Sequence, residues 1–174
     1  MSVYNVHEQV INYEIFVNGN RCIGTANVEL PELTYKTQTV SGAGVAGEYE
    51  APTLGQLESL ELKLTFRALY EYPIALMQQT AVILSCRGAV QLYDAGNGTL
   101  KPLPVRVDAR GRIKSGSLGK LEPTEMMETE ITFECDVLAV YINNAEYFMI
   151  DKLNFVNRVN GTDFLASVRY ALGI

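Results

Sequence analysis

From Leu60 to Arg67 the chain alternates without a fault: Leu60, Leu62, Leu64 and Phe66 are apolar, and Glu61, Lys63, Thr65 and Arg67 are polar. A period of two puts these sets on opposite faces of an extended strand, whereas a helix would scatter both around its circumference. Glu128 to Ile142 repeats the pattern at greater length. Ile131, Phe133, Cys135 and Val137 form one face there, and Glu130, Thr132, Glu134 and Asp136 the other. Strands of this kind require a sheet with one packed face and one wet face.

Further strands are predicted over Asn12–Val17 and Arg21–Leu30, joined by a hairpin turn at Asn18-Gly19-Asn20. Val82–Tyr93, Leu103–Ala109 and Glu146–Ile150 complete the set, with turns at Asp94–Gly98 and Asn143-Asn144. Pro73 followed by good helix formers predicts a short helix near Tyr72–Gln79. A second helix is expected over Asp163–Leu172, capped by Thr162 and burying Phe164, Leu165, Val168 and Leu172. The stretches Thr34–Pro52 and Gly111–Glu125 read as loops, because glycines and prolines interrupt them. The expected fold class is α+β, mainly β: an antiparallel sandwich or barrel-like domain with short helices. At 174 residues the chain is one domain, 1–174.

The net charge of −6, without clustered Lys or Arg, argues against a protein that binds nucleic acid stably. Met1–Gln9 is polar and leads into no apolar run, so neither a secretory signal nor a membrane span is expected. Cys22, Cys86 and Cys135 are far apart in apolar, strand-like runs and read as small buried thiols, as synthesis in a reducing cytoplasm allows. His7 is the single histidine, which excludes a multi-histidine metal centre within one chain and any triad built elsewhere. Glu130, Glu134 and Asp136 read as solvated strand surface. No catalytic, cofactor-binding or metal residues are assigned.

Gly42-Ala43-Gly44-Val45-Ala46-Gly47 matches the G-x-G-x-x-G pattern of dinucleotide sites. That pattern needs a helix directly after it, to hold the pyrophosphate. Here Glu48-Tyr49-Glu50-Ala51-Pro52 follows, a poor helix opening with carboxylates where phosphates would lie. Gly116–Lys120 fails as a P-loop, with Lys114 in place of the first glycine and Leu121 in place of the Ser/Thr. Asn97-Gly98-Thr99 and Asn160-Gly161-Thr162 mark turns.

Several patches occur in a telling order. Phe16-Val17-Asn18-Gly19 is followed by Gly24-Thr25-Ala26-Asn27-Val28-Glu29-Leu30-Pro31, the Ser41–Glu48 loop and Leu57-Glu58-Ser59-Leu60. Ile150-Asp151-Lys152-Leu153-Asn154, Val159–Ala166, Arg169 and Leu172-Gly173 close the chain. The combination resembles the major tail tube family of P2-like contractile phages and R-type pyocins. The patches span nearly the whole chain and are sparsest over about residues 70–125.

The resemblance implies a structural subunit, not an enzyme. Six copies would form a ring, their strands joined in one ring-wide inner β-barrel, and rings would stack into a tube inside a contractile sheath. Its partners would be further copies of itself and the tail sheath protein, with the tape measure protein and DNA passing through the lumen. The subunit would be made in the bacterial host cytoplasm and end in the virion tail. Residues 34–52 would serve as the contact between subunits or rings, with Ser41, Gly42, Gly44, Gly47, Glu48 and Glu50 at the stacking interface. The polar faces with Glu61, Lys63, Thr65, Arg67, Glu130, Thr132, Glu134 and Asp136 would line the lumen, their net negative charge repelling DNA. Three other readings compete: a tube of a bacteriocin or secretion particle without a genome, a nucleotide-binding enzyme using Gly42–Gly47, and a monomeric β-sandwich binding module.

Overall fold

The computed structural model describes residues 5–173, so Met1–Tyr4 of the polar N-terminal segment lie outside the described residues. In chain order the elements are β1 (Asn5–Val17), β2 (Asn20–Cys22), β3 (Thr25–Glu29), β4 (Tyr35–Ser41), β5 (Glu48–Leu57), β6 (Glu61–Phe66) and α1 (Glu71–Leu76). There follow β7 (Val82–Asp94), β8 (Thr99–Ser117), β9 (Thr129–Ile142), β10 (Ala145–Asp151), β11 (Val156–Val159), β12 (Thr162–Asp163) and α2 (Ala166–Leu172). Every strand pair is antiparallel. The chain is thus mainly β with two short helices, as the alternation predicts.

The turns explain the pairing. Asn18 and Gly19 both take positive φ (49° and 83°), as do Asn143 and Asn144 (50° and 63°). Two such residues in succession give the backbone twist that joins neighbouring strands tightly. At the β7–β8 turn the buried Asp94 carboxylate accepts bonds from the Gly96 N–H and the Asn97 amide.

The main sheet runs β12-β11-β10-β9-β8-β7-β1-β2, with β6 also paired to β9 and β3 to β6. It branches on β9, whose first half lies between β6 and β8 and whose second half lies between β10 and β8. The change falls at a bulge: Arg110 pairs with Val137 but Gly111 with Cys135, leaving Asp136 as the extra residue. Gly111 permits it, because a Cβ there would lie 2.6 Å from the Glu134 carbonyl oxygen. The bulge also corrects the strict alternation. Ile131, Phe133 and Cys135 are fully buried, yet Val137 is only half-buried and Leu138 takes the next core position.

The path β2-β1-β7-β8-β9-β6-β3 ends on two strands separated in sequence by Ile23-Gly24 alone. The sheet therefore curls until its ends nearly meet. Among the described residues no ladder joins β2 to β3, so the barrel stays open. Inside lie Leu60, Leu62, Leu64, Phe66, Ile131, Phe133, Ile15 and Leu84, each fully buried. Pro73 and Leu76 of α1 are buried too. Cys22, Cys86 and Cys135 are free and buried in the same core. Burial pushes their thiols up to about 11, 12 and 11.

Four expectations need correction. The Arg21–Leu30 strand breaks at Ile23-Gly24, where Gly24 takes a φ of 91° and lets β3 leave β1 for β6. The Gly111–Glu125 loop is strand as far as Ser117, because Gly111 and Gly116 sit where β9 and Met77 approach closely. Thr34–Pro52 is mostly strand, as described below. The second helix starts at Ala166, not Asp163, and Thr162 does not cap it. Asn160 and Gly161 (φ 49° and 79°) turn Thr162 and Asp163 back onto β11 instead. Of its expected apolar face only Leu165 is buried, while Phe164 and Leu172 are 49% and 57% exposed. Buried Pro73 and Leu76 seat α1 on the barrel core, whereas no residue within α2 is buried.

Candidate assembly surfaces

The two polar strand faces become one surface. Glu61 pairs with Glu134, Lys63 with Thr132 and Thr65 with Glu130 across β6 and β9. Arg67 follows the end of β6 and is exposed, and Asp136 occupies the bulge. Two glutamates directly opposite would repel. Lys114 of β8 relieves this, with its Nζ 2.6 Å from Glu61 Oε1 and 3.6 Å from Glu134 Oε2. Lys152 approaches Glu134 Oε1 at 3.3 Å, Lys63 approaches Glu130 at 3.0 Å, and Arg110 approaches Asp136 at 3.0 Å. Ser59 also donates to Glu134. The face expected to be acidic is therefore charge-paired. Lys114 lies in the stretch expected to be a loop, and Lys152, Ser59 and Arg110 reach these carboxylates only in the folded sheet.

These contacts set a pH dependence. The hydrogen bond from Lys114 holds the Glu61 carboxyl below its usual range, and the one from Arg169 does the same for Asp163. Burial alone would raise Glu134, but bonds from Ser59, the Leu60 N–H and Lys152 outweigh it. Burial likewise opposes the lowering of Asp151, where the Asn154 amide and the N–H groups of Asn154 and Leu153 prevail. A carboxyl lowered in the folded state stabilises fully above its unfolded pKa, and that stability is lost as pH falls through the folded value. The subunit's Tm should stay level from pH 7 to about 5 and drop below about pH 4. Thermal melts across that range test this; a steep fall already between pH 7 and 5 contradicts it.

The second surface is a ribbon. β4 and β5 pair from Tyr35↔Leu57 at the base to Ser41↔Glu48 at the tip and form a sheet of their own. Gly42, Gly44 and Gly47 (φ 139°, 95° and 113°) make the reversal between them, in a region where a side chain would be strained. The base is anchored by Leu57 in the core and by the Glu58 N–H bonding to the Thr34 carbonyl at 2.9 Å. At Gly55 the backbone passes so close to Leu165 that a Cβ would lie 2.4 Å from its Cδ2. Beyond the base both faces meet solvent: Ser41, Gly42, Gly44, Gly47, Glu48 and Glu50 are all exposed, and Tyr49 and Leu54 are 55% and 57% exposed. The glycine motif thus lies between antiparallel strands. No helix follows to bind a pyrophosphate, so the nucleotide-site reading loses its structural basis.

The third surface is an edge. β2 pairs only with Ile15, Phe16 and Val17 of β1, so Asn5–Glu14 has β7 on one side and, among the described residues, an open edge on the other. Val6, Val10 and Ile11 on it are 49%, 60% and 54% exposed. The open edge of β8, before Val105, carries Pro102 and Pro104 instead. Proline lacks the N–H that a joining strand needs, so that edge is guarded and the β1 edge is not.

The family model described as phage tail tube protein FII matches residues 7–173. The tail tube protein of Escherichia phage P2 is 29% identical over 168 residues, covering 92% of this chain and 94% of that protein. A cryo-EM structure of an extracellular contractile injection system, its PVC sheath/tube terminator in the extended state, shares the fold. Its TM-score is 0.52 at 14% identity, over 75% of this chain and 94% of that one. The chain belongs to the phage tail tube protein family. It is a structural component of a phage tail.

Proposed function

We propose that copies of this subunit close into hexameric rings that stack into the hollow tube of a contractile tail, inside its sheath. The observation that carries the reading is the open β1 edge with its exposed Val6, Val10 and Ile11. In a lone subunit such an edge is an aggregation hazard, and ring closure removes it. The β4–β5 ribbon and its Ser41–Glu50 tip would make the contacts between subunits or rings, since the ribbon contributes little to its own subunit's core.

The face with Glu61, Lys63, Thr65, Arg67, Glu130, Thr132, Glu134 and Asp136 would look into the channel. Its ion pairs suit transit: Lys63, Lys114 and Lys152 are held by glutamates and offer passing DNA phosphates no free ammonium. The tape measure protein and DNA would occupy the lumen only in passing. The subunit performs no catalytic step and would assemble in the host cytoplasm.

Concentrating the purified protein should produce rings or tubes by negative-stain microscopy, and a concentration-dependent sedimenting species. Monomer alone up to millimolar concentration, even when seeded with preformed tail tubes, would overturn the reading.

A further inference from the structure

We infer that the acidic β4–β5 ribbon of one copy docks on a pair of arginines, Arg87 and Arg106, on the sheet of the next copy. This rests on the self-assembly proposed above and names the surface that receives the ribbon.

The donor side carries the charge. Within the ribbon, residues 35–57, the carboxylates Glu48 and Glu50 at the tip end of β5 outnumber the one base, Lys36 near the start of β4. Glu48 and Glu50 lie two residues apart on β5 and share one face, their side chains about 7 Å apart. A two-stranded ribbon has little stability of its own in water, so an order-giving partner is needed beyond its anchored base.

The acceptor side is unusual for a free subunit. Arg87 and Arg106 are direct cross-strand partners on β7 and β8, an arrangement that is repulsive unless an anion joins it. Each guanidinium is laid over an aromatic ring, Arg87 over Phe16 at 4.4 Å and Arg106 over Tyr141 at 4.1 Å. That fixes both heads in place. Glu14, the acid in the same row on β1, is taken by Arg21, which leaves Arg87 without an ion-pair partner among the described residues. Arg106 is ion-paired with Asp108, Nε to Oδ2 at 3.1 Å, but its buried Nε makes no aligned hydrogen bond. Beside the pair, Gly88, Ala89, Pro102 and Pro104 line an open trough in which a side chain the size of Tyr49 has room. Arg106 and Arg112, the register partner of Glu134, are six residues apart on β8, about 20 Å. The even spacing puts both on one face of β8, so the docked ribbon lies farther along the strand from the proposed channel-lining residues, on the same side of the sheet.

A charge-swap experiment on the full chain tests the inference. Arg87→Glu with Arg106→Glu should raise the critical concentration for tube formation at least about tenfold, as like charges are set against each other. Glu48→Arg with Glu50→Arg should do the same. Mixing the two double variants, or combining all four changes in one chain, should restore assembly. Monomer melts, together with the milder Arg87→Gln/Arg106→Gln variant, separate loss of docking from loss of folding. Folded arginine variants that assemble like the wild type, or four-fold variants that fold but stay unassembled, overturn the inference. A wild-type protein that never assembles defeats the underlying reading instead.

Discussion

Phe133→Ala is expected to lower the subunit's unfolding free energy by about 3–5 kcal/mol, close to the top of the range for single core truncations. Phe133 is fully buried at the centre of β9, facing Leu62 of β6 on one side and Ile113 of β8 on the other. It sits where the curled sheet is closed on both sides, so its neighbours cannot collapse into the space without breaking a ladder. A domain of this size has only about 5–15 kcal/mol to lose. Urea unfolding of the unassembled subunit measures the effect, with an unchanged m-value showing that stability alone has moved. A loss below about 1 kcal/mol would mean that the core is more plastic than its burial implies. The adjacent strand residue Thr132, on the wet face, should tolerate alanine within about 0.5 kcal/mol.

Replacing Gly42–Gly47 by Asn-Gly should abolish tube formation while leaving the subunit's melting curve in place. Ser41 and Glu48 are the last paired residues of the ribbon, so a two-residue turn can join them directly without disturbing the pairs below. Nothing in the core touches the tip: a Cβ at Gly42, Gly44 or Gly47 would meet no atom within 4 Å. The cost therefore falls on contacts outside the subunit. Sedimentation and microscopy of the shortened protein at concentrations where the wild type assembles check this. Normal tubes from it would remove the tip from the assembly interface, while a collapsed melting curve would show that the ribbon supports its own fold.

Local pattern in this chain carried a great deal. Alternation at Leu60–Phe66 and Ile131–Cys135 specified which side chains enter the core, because side chains on a strand alternate whatever lies beside it. Asn18-Gly19 and Asn143-Asn144 specified hairpins, since asparagine and glycine accept positive φ at low cost. Pro73 placed the first helix, and the order of the longer patches was enough to mark the family.

What the chain could not show locally is who neighbours whom. The bulge at Asp136 that ends the alternation depends on β9 exchanging β6 for β10 beside β8, a choice made by segments far apart in sequence. The ion pairs that neutralise Glu61 and Glu134 come from Lys114 and Lys152, and the Arg87–Arg106 pair from the β7–β8 register. Thr162 lost its capping role because the Asn160-Gly161 turn let it pair with β11. Side-chain alternation and turn preference are properties of a few consecutive residues. Register, charge pairing and open edges belong to the folded sheet, and they arise only once strands from distant parts of the chain are laid side by side.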